Sequence, residues 1–558
     1  MKAKGLCIFF ALLSIVGILF SEDMKLDIMF TNDVHGGIDR AAATFINPSF
    51  PPMLGGGGVA ATIIKQVRAL GDDQVRSNLL LDQGDFFQGH PIGTVTKGKA
   101  VIEYMNDIGY NVMTLGNHDY DSGQTTLEEA LAMAKFPVIS CNIMDRASGK
   151  PPYYVKPYVI IEKMGLRIAL IGFTTTDTEK MSFPENIKNV DFTDEKEALT
   201  KWVPIVRNQE KADLVIVMCH AGLPYEPEVT YESRYDKSGK SLNESRYASW
   251  GWDSQELAHE VSGIDLIIGG HMHKGFAQPW IDPITHTMVI QGYAYGSNIG
   301  WLTLNVDPES KTISGFDTPA LREGMLITLF EDEFIPDEAI SKKIALQQAI
   351  AEKGMDEVVG TAGEYLSRTN VDAQSLMGNT ICDAMKAEVN ADFAFMNLGG
   401  VRADIKSGPV TYRNVFDVMP FDNQIVSFNC TGEFLRRVIE TRIEGSRHGL
   451  VVSEGCKIVY SKKRKDFDRI TSFSIGGQPW DPKKIYRCTT TDFLMQGNAG
   501  LTLLTQVPED QITYHMINLR DGIVHYFQKH SPVKTKIDDR WKRSDGAVPT
   551  AEMILSTP

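Results

Sequence analysis

Gly116-Asn117-His118-Asp119-Tyr120-Asp121 is the stretch whose reading decides the fold of this chain. It follows a short apolar run, Val112-Met113-Thr114-Leu115, after which the chain turns. Gly, Asn and Asp suit a plain polar turn after a strand. The same residues, with an imidazole among them, can also ligate a metal and hold a proton donor within one turn. The hexapeptide alone does not choose between turn and site.

Outward from it, the N-terminal half alternates apolar strands with amphipathic helices. Strands are expected at 26–30, 79–81, 168–173, 214–218 and 265–268, and helices at 58–70 and 100–109. Strand, polar loop, helix, repeated, predicts a layered α/β fold. The polar residues then fall in a telling place. Asp33 and His35 end one strand, Asp85 the next, and Asn117, His118 and Asp121 a third. His220 follows a fourth, and His271 and His273 a fifth. Ligands in open α/β sheets bind beyond the carboxyl ends of the strands. Of the 12 histidines, five lie at these ends, too many to read each as an isolated surface residue. Oxygen and imidazole donors in this mixture suit Zn²⁺, Mn²⁺, Co²⁺ or a similar ion. Seven ligands exceed one tetrahedral site and suit two divalent metal ions sharing a bridging carboxylate.

Composition narrows the class. The chain has 558 residues, 43% hydrophobic and 23% charged, which predicts a large protein of more than one domain. A net charge of −15 argues against a nucleic-acid polymer as partner, since phosphate backbones need a basic face. A small phosphate ester held by metals and a few arginines stays compatible with it. Lys2 and Lys4 precede an apolar run over 6–20, so residues 1–21 read as a secretory signal. The protein is therefore expected to be exported, to a periplasm or outside the cell. The imperfect cleavage site Leu19-Phe20-Ser21 leaves an uncleaved anchor as the alternative. No later run is long enough to span a bilayer. Beyond Cys7, six scattered cysteines without a CxxC pair read as buried free thiols.

Asp33-x-His35, Gly84-Asp85-x-x-x-Gly89, Gly116-Asn117-His118-Asp119, His220 and Gly270-His271-x-His273 together resemble the five blocks of the calcineurin-like metallophosphoesterases. Tyr120-Asp121 and the C-terminal half point closer, to the 5′-nucleotidase family, whose members include periplasmic UDP-sugar hydrolases and ecto-5′-nucleotidases. The resemblance covers residues 26–539. It implies a four-layer metallophosphoesterase sandwich over 24–330, a linker helix within 331–356, a C-terminal α/β substrate-binding domain over 357–540, and a tail over 541–558. Asp33, His35, Asp85 and His273 would hold one cation. Asp85, Asn117, His220 and His271 would hold the other, with Asp85 bridging. His118 would be the catalytic imidazole and Asp121 its orienting carboxylate, while Asp119 shapes the turn. The implied reaction is attack of a metal-activated hydroxide on the phosphorus of a nucleotide.

In the second half, Asn397-Leu398-Gly399-Gly400-Val401-Arg402 resembles the family's NxGGxR loop, with Asn397 for the base and Arg402 for phosphate. Phe421 and Phe493 match two positions whose rings sandwich the base, and Arg368 is a further candidate for gripping phosphate. The chain departs from the family at Gln496-Gly497-Asn498-Ala499-Gly500-Leu501. Ala499 stands where the family usually has an Asp that holds the ribose hydroxyls, and a methyl accepts no hydrogen bond. Residues 223–252 are also longer than expected and rich in Tyr and Trp, a stretch that would either cover the site or hang in solvent. The leading expectation is an exported 5′-nucleotidase-type hydrolase. The alternatives are a 2′,3′-cyclic phosphodiesterase with 3′-nucleotidase activity, a UDP-sugar hydrolase or a thiosulfohydrolase on the same scaffold, and, in another class, a non-catalytic extracellular binding protein.

Overall fold

The structure is a computed structural model describing residues 23–43, 46–47, 50–242, 251–319, 324–369, 374–445 and 450–545. The expected signal segment, Tyr247 and Trp250 of the long insertion, and most of the tail lie outside the described residues.

Two sheets organise the N-terminal half. One runs Ile313–Asp317, Asn298–Val306, Met24–Thr31, Arg76–Asp82, Val112–Thr114, Val138–Ile139, with Leu326–Thr328 also paired to Asn298–Val306. The other runs Trp280–Ile281, Met288–Gln291, Leu266–Gly269, Leu214–His220, Leu166–Thr174, Tyr158–Lys163. Within each, the central strands are parallel. All their carboxyl ends therefore open on one edge, where connecting loops are free to carry chemistry.

The apolar runs explain the layering. Successive side chains of a strand face opposite ways. Leu26, Ile28 and Phe30 meet Ile168, Leu170, Ile216 and Met218 between the two sheets. Met29 and Leu80 face the other way, onto Val59, Ile63, Ile102 and Met105 of the helices Gly56–Arg68 and Lys99–Ile108. Ile171, Val215 and Val217 likewise meet Leu199, Val203 and Leu257 on the far side. Strands covered on both faces must be apolar throughout, which is why they read as continuous runs. The result is helix, sheet, sheet, helix.

The helix Glu338–Ala351 begins at Asp337, whose carboxylate caps the Ile340 N–H. It does not stand free between domains. Ile340 and Ile344 are buried among the N-terminal helices, and Lys65 pairs with Asp337. Beyond it, a five-stranded and a four-stranded sheet form around a separate core, with the helices Leu376–Val389 and Leu519–His530 packed together against it. The tail drawn from 541 loses its first residues to this domain. Trp541–Arg543 is a strand parallel to Lys457–Tyr460, and Trp541 is fully buried. A three-residue edge strand ending in two charges has no periodicity to read. The six cysteines after Cys7 are free and buried, as read from the sequence.

Candidate active site

Five strand ends converge at the open edge. Asp33, His35, Asp85, His271 and His273 all adopt left-handed backbone, with φ of 50°, 49°, 57°, 74° and 55°. Each such non-glycine residue costs roughly 1–2 kcal/mol, so the conformation persists only where surrounding bonds over-determine it. Those bonds are present. The His271 N–H donates to both Asp33 carboxylate oxygens at 3.0 and 2.9 Å. The His118 N–H donates to Asp85 Oδ1 at 2.8 Å. Asp119 accepts from the N–H groups of Asp85, Phe86 and Gly116 at 3.0, 2.9 and 2.7 Å, tying the second strand-end loop to the third. That is the turn-shaping part expected of it. Gly116 is needed there, because a Cβ would lie 2.1 Å from Asp85 Oδ1.

Two of the histidines are aimed from behind. The Gln88 carbonyl accepts from His35 Nδ1 at 2.5 Å, and the Gln83 carbonyl from His220 Nδ1 at 2.8 Å. Each bond fixes a tautomer that turns the Nε2 lone pair inward. His35 Nε2 and His273 Nε2 face each other at 3.0 Å, 4.0 and 3.3 Å from Asp33 Oδ1. His220 Nε2 is buried and lies 3.0 Å from Asp85 Oδ2. His271 Nδ1 lies 2.9 Å from Asn117 Oδ1. Ligand atoms of Asp33, His35, Asp85 and His273 fall within 4.8 Å of one another. Opposed imidazole nitrogens and carboxylates in a largely buried cluster are the donor set of divalent cations, so the residues present fit the metals that the sequence implies.

The electrostatics couple these groups: burial lowers the His220 pKa, but Asp85 and Asp33 beside it push it up to about 10. Burial alone would raise the Asp85 carboxyl, but His220 and His118 beside it hold it well below the usual range. Burial likewise opposes ionisation of Asp33, and His273 and His220 overcome it. Burial drives His35 toward the neutral form and pushes His271 down to about 4. His118 sits apart from these ligands. Its Nδ1 is 2.7 Å from Asp121 Oδ2, leaving Nε2 for the cleft. Burial lowers its pKa, yet Asp121 and Asp85 raise it above the ordinary imidazole value.

A cleft of about 1670 Å³ separates this centre from the C-terminal domain. His118, Asp121 and His271 line one side, and Asn397, Arg402, Phe421 and Phe493 the other. The two walls touch. Phe421 stacks on His118 with centroids 5.7 Å apart, Arg402 lies 5.5 Å over the Phe421 ring, and Phe493 meets Phe183 edge-on at 6.0 Å. Phe421 and Phe493 are half-buried, each also packing against the domain core. Arg368 is not brought to the cleft. It is exposed, and its guanidinium donates to the Arg402 carbonyl at 2.8 Å. Asn498, beside Ala499, has its amide donating to the Phe493 carbonyl at 2.9 Å.

Tyr295 escaped the sequence reading. It packs against His35 and His273, with both centroids at 5.2 Å, and its hydroxyl accepts from Arg402 at 3.0 Å. The signal was a sixth strand end: Gly292-Tyr293-Ala294-Tyr295-Gly296 follows the apolar Met288–Gln291 strand. Gln83 and Gln88 act through backbone carbonyls and leave no side-chain signature.

Comparison with known proteins completes the picture. Residues 26–275 match the family model described as calcineurin-like phosphoesterase, and residues 358–506 match that of the 5′-nucleotidase C-terminal domain. The chain belongs to the 5′-nucleotidase family. It is thereby a metal-dependent phosphoester hydrolase, with the two-domain architecture of that family. A 5′-nucleotidase of Vibrio cholerae is 28% identical over 531 residues, covering 87% of each chain. Endonuclease YhcR of Bacillus subtilis is 27% identical over 439 residues, 76% of this chain, but this chain spans only 33% of that protein. The crystal structure of a 5′-nucleotidase precursor from Thermus thermophilus superposes with a TM-score of 0.76 at 22% identity, covering 94% of this chain and 100% of that one. Among the described residues no helix is long and apolar enough to cross a membrane.

Proposed function

We propose that this protein is an exported two-metal phosphohydrolase that releases phosphate from nucleotides or closely related phosphate esters. The observation that carries the reading is the convergence of seven oxygen and imidazole donors from five strand ends, with the rings of His35 and His220 turned inward by carbonyls behind them. In this reading Asp33, His35, Asp85 and His273 hold one ion, and Asp85, Asn117, His220 and His271 the other, the ions being Zn²⁺, Mn²⁺, Co²⁺ or similar. When bound, the two ions supply Lewis-acid polarisation of a phosphoryl group and a water acidic enough to react near neutral pH.

The chain's own residues supply the rest. His118, locked by Asp121, presents Nε2 to the leaving oxygen and can hand it a hydrogen bond or a proton. Arg402 offers a guanidinium on the facing wall for the phosphate, and Tyr295 holds it in place. Phe421 and Phe493 offer ring faces to a flat base, a recognition mode that tolerates several bases. For that, Phe421 must part from His118, so substrate entry requires movement of the domains relative to each other. The helix Glu338–Ala351 is docked on the N-terminal domain, which puts the pivot at its C-terminal end rather than within it.

Ala499 in place of an acidic residue favours keeping nucleotide sugars, 2′,3′-cyclic nucleotides and thiosulfo substrates as the second reading. A purely binding protein is disfavoured by a ligand set with no member missing. The deciding experiment is turnover of an aryl phosphate with added Mn²⁺, Co²⁺ or Zn²⁺, with and without chelator. It is followed by a panel of nucleoside mono-, di- and triphosphates, cyclic nucleotides and nucleotide sugars. Absence of metal-dependent turnover on every ester would reject the hydrolase reading.

A further inference from the structure

Residues 175–187 follow the strand Leu166–Thr174 at the open edge and run toward the C-terminal domain. A short helix, Thr178–Met181, and a one-turn helix, Pro184–Asn186, flank Ser182 and Phe183. This turn is tied on both sides to the hexapeptide that carries Asn117, His118 and Asp121. The buried Ser182 hydroxyl donates to the Asn117 carbonyl at 3.2 Å, and the Asn186 amide donates to the Asp121 carbonyl at 2.8 Å. The Asn186 N–H closes the turn on the Phe183 carbonyl at 2.9 Å. Phe183 is thus held in fixed relation to His118 by bonds within one domain.

Its ring is not placed as a core residue. Phe183 is half-buried, yet among the described residues it joins none of the hydrophobic cores. Phe421 and Phe493, by contrast, each pack against the C-terminal core. The Phe183 ring lines the cleft and meets Phe493 edge-on, with centroids 6.0 Å apart and planes at 82°. Thr178–Met181, just before it, packs on the Asn498–Gly500 turn of the same facing wall. Each of the two rings offered to a base is therefore met by a ring of the metal-bearing domain, Phe421 by His118 and Phe493 by Phe183. Only His118 has a part in the proposed reaction, so the Phe183 contact is left without a use.

We infer that Phe183 is a third ring of the base site, supplied by the metal-bearing domain, and that it touches the base only when the C-terminal domain brings the substrate against the metal centre. The inference rests on the nucleotide reading and adds a specificity-determining residue to it. Phe421 and Phe493 travel with the base, so their contacts are made before and after the domains meet and enter KM. Phe183 does not travel. Its contact forms only as the domains close on the reacting phosphate, and binding energy realised at that stage enters kcat. A substrate without a base gains nothing from it. Phe183 therefore sets how strongly the chemical step favours a nucleotide over a simple phosphate ester.

The test measures kcat and KM of the full-length wild type, F183A, F183L and F183Y on a nucleoside monophosphate and on an aryl phosphate. Metal content and Tm are taken on the same samples. In F183A and F183L, kcat on the nucleotide relative to that on the aryl phosphate should fall by about fivefold, the worth of one edge-on ring contact. The nucleotide KM should stay within twofold of wild type, and F183Y should recover the ratio. A ratio unchanged within twofold overturns the inference. So does a rise in KM at constant kcat, which would put Phe183 beside the base whether or not the domains have met. An equal loss on both substrates also overturns it, because Phe183 would then act through the Asn117–Asp121 turn. A wild type that hydrolyses the aryl phosphate but no nucleotide rejects the base contact and leaves the hydrolase reading standing. One that hydrolyses neither rejects that reading itself.

Discussion

The two walls of the cleft are built on opposite principles. On the metal-facing wall, Asp33, His35, Asp85, Asn117 and His220 are buried, and Asp33, His35, Asp85, His271 and His273 sit on backbone strained into the left-handed region and tied down by specific bonds. On the C-terminal wall, Asn397, Arg402, Phe421 and Phe493 are half-buried, and their contacts are ring faces and an arginine fork. The first wall is a preorganised donor set whose members cannot be exchanged singly without breaking the bonds that hold the others. The second can be retuned by single substitutions without loss of fold. Reaction type and substrate identity are thus held by different parts of the molecule, with different tolerance to change.

If that division holds, damage to the first wall should abolish turnover on every ester. Asp85→Asn carries the largest expected effect, about 10³-fold or more in kcat, with metal content falling at both positions. Loss of one ion only, by elemental analysis, would contradict the bridge. His118→Ala should cost about 10²- to 10³-fold in kcat while keeping both metals if, as proposed, it donates to the leaving group without ligating. A metal-free H118A protein would move His118 into the ligand set. Asp121→Asn should cost about 10- to 100-fold through a misoriented imidazole, again with metals retained. On the second wall the signature changes. Phe421→Ala or Phe493→Ala should raise KM for a nucleoside monophosphate about tenfold and leave an aryl phosphate much less affected. Equal effects on both substrates would make these rings core residues and erase the contrast between the walls.

The same division explains what could be read in advance. The strands were legible because two-sided burial leaves continuous apolar runs. The residues that converge at the open edge were legible because oxygen and imidazole donors stand out where apolar strands end. Arg368 illustrates the opposite case. An arginine near a substrate loop is consistent with gripping phosphate, but its hydrogen bond to the Arg402 carbonyl is a tertiary fact with no local pattern. Tyr295 was missed for a related reason, since a tyrosine between glycines reads as turn until Arg402 and the histidines are placed around it. The Trp541–Arg543 strand was too short to show a period.

The smallest expected effect probes the boundary between the walls. Ala499 has φ of 53° and ψ of 29°, a left-handed conformation that aspartate tolerates better than alanine. Its carbonyl accepts from Arg442, so the backbone there is pinned whatever the side chain. Residues Thr178–Met181 of the metal-bearing domain pack against this turn, and Ala499 lines the cleft. Ala499→Asp should therefore keep the fold, with an unchanged or slightly raised Tm. It should add a carboxylate able to accept both hydroxyls of a ribose. The kcat/KM ratio for a ribonucleotide over its 2′-deoxy counterpart should rise by about threefold, a modest factor because one hydrogen bond to an open cleft competes with water. A ratio that does not move would mean that the sugar never reaches this turn. Specificity on the second wall would then reside in the rings and in Arg402 alone.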